Sequence, residues 1–254
     1  MNIPTFSFAF EYAGASDTGR MRKENQDRIV LDETHGFFAV SDGMGGLRCG
    51  ADAASYVCAS IPRLLTICAE EGAEDEPVTD QAERLRQLVC MLSDQLYRTG
   101  NADGRFDYGA TLVGVWLCQD CAAFVSLGDS RGYLLTADEN ELIQITQDMN
   151  IAGIMERNGQ LTHSQARLSP ASSQLTAFVG MAEPATPETF VRKLCPGDTL
   201  LLCSDGLHSM VPEDEISEIL RADNEPQEIC QALINAANAH GGRDNISCVV
   251  IKVR

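Results

Sequence analysis

Phe37-Phe38-Ala39-Val40-Ser41-Asp42-Gly43-Met44-Gly45-Gly46 is an apolar run that breaks into a glycine-rich turn. The apolar half reads as a strand and the glycines as a tight turn in which backbone can approach a ligand, so Asp42 is expected at a strand end. The pattern returns far downstream, where Thr199-Leu200-Leu201-Leu202-Cys203 runs into Ser204-Asp205-Gly206. Ser, Asp and Gly are ordinary turn formers, and one copy needs no other explanation. Two strands that each deliver an Asp at a Ser-Asp-Gly turn suggest carboxylates converging on a hard cation.

Upstream of this stretch, Phe6, Phe8, Phe10 and Tyr12 alternate with smaller residues at the period of a half-buried strand. A polar stretch from Ser16 to Asp27 leads into a second strand, Arg28 to Leu31. Its Arg22 and Asp27 read either as solvated loop charges or as an oxyanion clamp and a metal ligand. Downstream, Ala51 to Ala69 is rich in Ala, Leu and Ile, and Leu85, Leu88, Val89, Leu92 and Leu96 recur at helical spacing. Two antiparallel helices joined by the acidic run Glu70 to Glu76 follow from that. Thr111 to Ile145 holds four β-like runs with short turns, read as a meander. Asn150 to Pro187 loses periodicity and carries several Gly and Pro. Strands at Thr189–Leu194 and Thr199–Cys203 come next, then helices at Glu213–Leu220 and Gln227–Ala239, each preceded by a Pro. Ile246–Val253 is the expected closing strand, with no tail left for an anchor or a second domain.

The bulk numbers fit one large domain: 254 residues, 44% of them hydrophobic, are ample for a sizeable core. A net charge of -18 argues against a phosphate-backbone binder, so no nucleic acid is expected as partner. The first ten residues lack a basic n-region and no stretch of about 18 apolar residues occurs, so no membrane association is expected and the location reads as cytoplasmic. The ten cysteines are scattered through apolar runs and read as buried thiols. Cys118 and Cys121 form a C-x-x-C pair around Gln119-Asp120, which reads as a hairpin turn because a zinc site needs two more ligands nearby.

Motifs in a fixed order then cover nearly the whole chain. Asp17-x-Gly19-x-x-Arg22-x-x-Asn25-Gln26-Asp27 and Ser41-Asp42-Gly43-Met44-Gly45-Gly46 are followed by Gly109-Ala110-Thr111-Leu112, Gly128-Asp129-Ser130-Arg131, Ser204-Asp205-Gly206 and Gly242-Arg243-Asp244-Asn245. This series resembles the metal-dependent PPM-type (type 2C) Ser/Thr protein phosphatases, in their bacterial single-domain branch. The resemblance implies an α+β fold, a β-sandwich of two antiparallel sheets flanked by helices, with a binuclear metal site at one end. It implies a single catalytic domain over residues 1–254, with a flap over about 150–187. Asp42 would bridge two Mn2+ or Mg2+ ions, with the Gly43 carbonyl, Asp205 and Asp244 as further ligands and Asp27 completing the set. Asp129 is the residue a third ion would use, and Arg22 is the implied phosphate clamp. The implied activity is hydrolysis of phosphoserine and phosphothreonine in proteins by a metal-activated water, opposing a Ser/Thr kinase of the same cell. The alternative is a pseudophosphatase that binds phosphoproteins without turnover.

This chain departs from that pattern in four places. Gln26 stands where many members have Glu, Met44 where animal members have His, and Ser209 where some have an Asp that helps hold a third ion. The segment Leu175–Gly180 lacks the Arg that members often carry near the flap's end. With Met44 in place, a metal-bound water is the expected source of the leaving-group proton. His208, close after Asp205-Gly206, is the other candidate for that role, against the ordinary reading of a structural or solvated imidazole.

Overall fold

The computed structural model describes residues 6–44, 49–70, 77–100 and 108–254. Strands β1 (Phe10–Asp17), β2 (Asp27–Asp32) and β3 (Phe37–Met44) lead into helices α1 (Cys49–Glu70) and α2 (Val78–Gly100). The short β4 (Gly109–Ala110) precedes β5 (Leu112–Cys118), β6 (Cys121–Leu127), β7 (Arg131–Leu135) and β8 (Leu142–Gln144). Two short helices, α3 (Ile151–Arg157) and α4 (His163–Leu168), and a 3-10 turn (Pro170–Ser173) follow. The chain continues through β9 (Glu188–Lys193), β10 (Thr199–Cys203), α5 (Asp205–His208), α6 (Glu213–Arg221), α7 (Pro226–Ala239) and β11 (Ile246–Val253).

The strands form two antiparallel sheets, one ordered β1-β11-β10-β7-β8 and the other β2-β3-β5-β6-β9, with β4 paired to β3. Period-two alternation decides which side chains go where. Phe38 and Val40 enter the space between the sheets with Val113, Val115, Phe124, Leu200, Leu202, Val249 and Ile251. Their neighbours Phe37 and Ala39 face outward onto α1 and α2, where Val57, Leu85 and Leu92 cover them. On the other sheet, Leu201, Cys203, Cys248 and Val250 face outward under Ile216, Ile229 and Leu233 of α6 and α7. The result is the helix-sheet-sheet-helix sandwich expected from the sequence.

Several expectations are corrected. The run from Thr111 to Ile145 is not one meander: β5 and β6 belong to one sheet and β7 and β8 to the other. The chain crosses at Gly128-Asp129-Ser130, with Gly128 at φ +123, where an added Cβ would strike Thr111. The first strand starts only at Phe10, because Phe6 and Phe8 have no strand partner and pack against the sandwich core instead, Phe6 edge-on to Phe10. The flap segment is partly helical, and the acidic run over 71–76 lies outside the described residues. Cys118 and Cys121 are register partners at the β5–β6 hairpin, with Gln119 at φ 53 in the turn. Among the described residues no helix is long and apolar enough to cross a membrane.

Candidate active site

Register brings the first two carboxylates together. Asp27 and Asp42 are direct partners on β2 and β3, at the end of their sheet. Thr111 fixes Asp42 from the next strand: its amide donates to the Asp42 carbonyl at 2.8 Å, and its hydroxyl accepts the Asp42 amide at 3.0 Å. Asp205 and Asp244 arrive at the same end from the other sheet, Asp205 directly after β10 and Asp244 just before β11, which are neighbours. The two sheets are pinned here by Ser204, whose hydroxyl donates to Asp27 Oδ2 at 2.7 Å and accepts the Ser247 amide at 3.0 Å.

Close backbone approach explains two of the glycines. A Cβ on Gly43 would lie 2.1 Å from the Gly50 carbonyl of α1, and one on Gly206 would lie 1.9 Å from the Asn245 carbonyl. Asn245 also accepts the Gln26 amide and donates to the Thr18 and Glu24 carbonyls, so it ties the loop carrying Arg22 to the start of β11.

These elements enclose a cavity of about 400 Å³ whose wall includes Arg22, Asp42, Gly43, Asp129, Asp205 and Asp244. Asp27 lies behind Asp42, 2% exposed. Burial, then repulsion from Asp27, Asp205 and Asp244, pushes the Asp42 carboxyl well above the usual carboxylate range. Burial, then repulsion from Asp129 and Asp244, does the same to Asp205. Asp27 is also raised by burial, although hydrogen bonds from Ser247 and Ser204 oppose the shift. Asp27 Oδ1 and Asp205 Oδ1 are buried and have no hydrogen-bond partner. Unsatisfied, mutually repelling carboxylate oxygens are the donor set that suits a hard divalent ion. As they stand, no three His, Cys, Asp or Glu side chains among the described residues close on one point tightly enough to hold an ion alone. Arg22 is paired with Asp244 at 2.6 Å, and that hydrogen bond raises its pKa further, so the guanidinium at the mouth is fully charged.

Asp129 sits at the sheet crossover and lines a second cavity of about 180 Å³ beneath the flap, together with Arg131 and His208. Burial and the nearby Asp148 push Asp129 up to about 7. His208 is buried, and its Nε2 lies 3.0 Å from the Asp129 carbonyl, an acceptor only, so Nε2 carries the proton. Burial and Arg131 push the ring down to about 3, and the His208 imidazole is therefore a neutral structural donor.

The sequence reading missed the residues that hold the site's frame. Arg131 is buried and grips both oxygens of Asp148 at 2.8 Å, with further hydrogen bonds to Tyr133 and Glu213. Asn150 donates to Asp129 from the flap's first cap, and Asn25 accepts the Asp27 amide. Glu213 lies 82 residues from Arg131, and no local pattern announces such a pair.

With fold and geometry in place, the comparisons with known proteins agree. The family model for protein phosphatase 2C matches residues 19–239. The chain is 32% identical over 241 residues to the serine/threonine phosphatase stp of Listeria monocytogenes, covering 93% of each. The S. agalactiae serine/threonine phosphatase superposes with a TM-score of 0.84 at 27% identity, covering 97% of this chain and 100% of that one. The catalytic domain of the phosphatase PstP, solved in complex with 2 manganese ions, gives a TM-score of 0.77 at 30% identity over 96% of this chain and 98% of that one. The chain belongs to the protein phosphatase 2C family, and the enzyme class expected from its motifs, protein-serine/threonine phosphatase, is borne out.

Proposed function

We propose that residues 1–254 act as one catalytic domain that hydrolyses phosphoserine and phosphothreonine in cytoplasmic proteins phosphorylated by a Ser/Thr kinase of the same cell. The observation that carries this reading is one cavity in which half-buried, mutually repelling carboxylates, Asp205 with an unpartnered oxygen among them, face a charged guanidinium, with the unpartnered oxygen of buried Asp27 behind them. Asp27, Asp42, Asp205 and Asp244, with the Gly43 carbonyl, are the residues that would hold two Mn2+ or Mg2+ ions, water completing each shell. Two such ions supply an acidified water as nucleophile and neutralise charge on the phosphate. Asp129 is the residue available to a third.

The remaining work falls to the chain's own side chains. Arg22 leaves Asp244 to grip the phosphate oxygens, since guanidinium and phosphate match in charge and bidentate geometry. Thr111 and Ser204 hold Asp42 and Asp27 in place through the hydrogen bonds described above. His208 supplies no proton to the departing alkoxide, because its one N–H is committed to the Asp129 carbonyl. The two-manganese structure of PstP supports the ion count, and the all-oxygen ligands suit Mn2+ and Mg2+ alike.

The experiment is turnover of a phosphothreonine peptide. Activity should vanish after chelation and return with Mn2+ or Mg2+ but not Zn2+. Full activity in excess chelator, or binding without turnover at saturating Mn2+, would reject it, the second in favour of a pseudophosphatase.

A further inference from the structure

The two loops that carry Arg22 and Asp244 have a charge unlike the rest of the molecule. The chain holds 37 Asp and Glu against 19 Lys and Arg. Arg20, Arg22, Lys23 and Arg243 nevertheless lie together on the loop before β2 and the loop before β11. The loops are joined backbone to backbone, the Arg20 and Met21 amides donating to the Gly242 carbonyl at 2.7 and 3.2 Å. Opposing carboxylates on them are Asp17, Glu24 and Asp244. Asp244 is taken by Arg22, and Asp17 turns to the Gly19 amide and the Asn238 side chain. That leaves Arg20, Lys23 and Arg243 against Glu24. All four are exposed, and among the described residues neither Lys23 nor Arg243 has an ion-pair partner. The Arg20 side chain donates to the Asn238 backbone carbonyl, a neutral acceptor.

We infer that this rim is a specificity surface for acidic phosphoprotein segments, with Lys23 and Arg243 meeting Asp or Glu residues that flank the phosphorylated Ser or Thr. The inference rests on the function proposed above and adds to it the class of substrate. Two considerations carry it. Arg22 and Asp244 line the cavity, and Lys23 and Arg243 are their exposed chain neighbours, which puts both cations on the loops that border it. On a chain of net charge -18 a local cationic rim beside the cavity favours where an acidic segment lands and how fast. Basic segments gain nothing at this rim.

Labelled phosphothreonine peptides with Glu, Ala or Lys on both sides of the phosphoresidue test the inference by fluorescence anisotropy, with turnover measured in parallel in Mn2+. The expected result is binding about three- to tenfold tighter for Glu flanks than for Ala flanks, a preference that fades as salt rises. In Lys23→Glu/Arg243→Glu, checked for an unchanged melting profile, the preference should vanish or reverse. A second variant, Lys23→Gln/Arg243→Gln, should bring the Glu-to-Ala ratio to about one without reversal. A wild-type ratio near one, or a ratio unmoved by both variants, overturns the inference even if turnover is normal. A salt-sensitive preference without any turnover would sustain the rim and reject the hydrolytic function instead.

Discussion

Two buried polar clusters meet at the sheet crossover, and they are satisfied in opposite ways. On one side, Arg131 pairs with Asp148, Tyr133 and Glu213, and although burial pushes Asp148 up, the Arg131 charge and hydrogen bonds hold it below the usual carboxylate value. On the other side, Asp42 and Asp205 are raised well above that value, and Asp27 Oδ1 and Asp205 Oδ1 have no partner. Asp129, two residues before Arg131 in one motif, lines both cavities and stands where the two clusters meet. The difference separates a frame from a site: a buried charge with its partner in the chain holds structure, whereas buried charges without one need a ligand.

The largest expected effect breaks the frame. Arg131→Met leaves Asp148 buried and unpaired and should cost about 3–5 kcal/mol in urea denaturation. Arg131→Met/Asp148→Leu should recover a large part of that loss, because the isolated charge is gone. If the double variant were as unstable as the single one, the pair would owe its importance to packing instead.

Next comes the guanidinium at the mouth. Arg22→Ala should lower kcat/KM for a phosphopeptide by about 10–100-fold, as loss of a charge-assisted phosphate contact implies. Because Arg22 occupies Asp244 in this structure, its removal should leave Mn2+ affinity unchanged or tighter by calorimetry. Weaker Mn2+ binding would make Arg22 a support for the ligands and not a clamp.

His208→Ala should matter less. p-Nitrophenolate leaves without a proton and a serine alkoxide does not, so removing a true general acid would cost about 10²–10⁴-fold on phosphoserine alone. A neutral ring bonded to the Asp129 carbonyl predicts instead small and similar losses on both substrates. A selective phosphoserine defect would contradict that assignment.

The pH dependence is told by its sign. In the metal-free protein Asp42, Asp205 and Asp129 have folded pKa values above the ordinary 3.8, Asp129 reaching about 7. Through that window these three carboxyls bind more protons folded than unfolded and lower stability as pH rises, while His208, held down to about 3, acts in the opposite sense; with three groups against one, stability should fall as pH rises from just above 3.8 to about 7. Saturating Mn2+ should flatten or invert the slope, which melting curves across pH would show.

Much of this was legible in the sequence because it is local. The apolar runs before Asp42 and Asp205 locate β3 and β10, although β3 continues past Asp42 to Met44 by pairing with β4, and Ile246–Val253 is the closing strand over its full length. What escaped is long-range or short. Gly128-Asp129-Ser130 looks like a hairpin turn until sheet pairing shows the chain changing layers. Arg131 finds Asp148 and Glu213 only through the fold. The flap helices span seven and six residues, too few for periodicity to register, yet α4 carries a legible cap: Thr162 and Gln165 form a capping box. The Phe6 and Phe8 alternation reported burial correctly, and strand pairing did not follow it.

The central claim is that the carboxylate floor is built for cations, and Asp205→Asn tests it most directly, since it keeps the side chain's shape and removes one charge. Melting temperatures would be compared with wild type in chelator and over a Mn2+ titration. The account predicts that the variant melts at the same or a higher temperature than wild type without metal, because repulsion is relieved, and that its Mn2+-dependent rise is much reduced. A lower metal-free melting temperature with the full Mn2+ response intact would contradict it, making Asp205 a helix-start residue and leaving the floor without its cation.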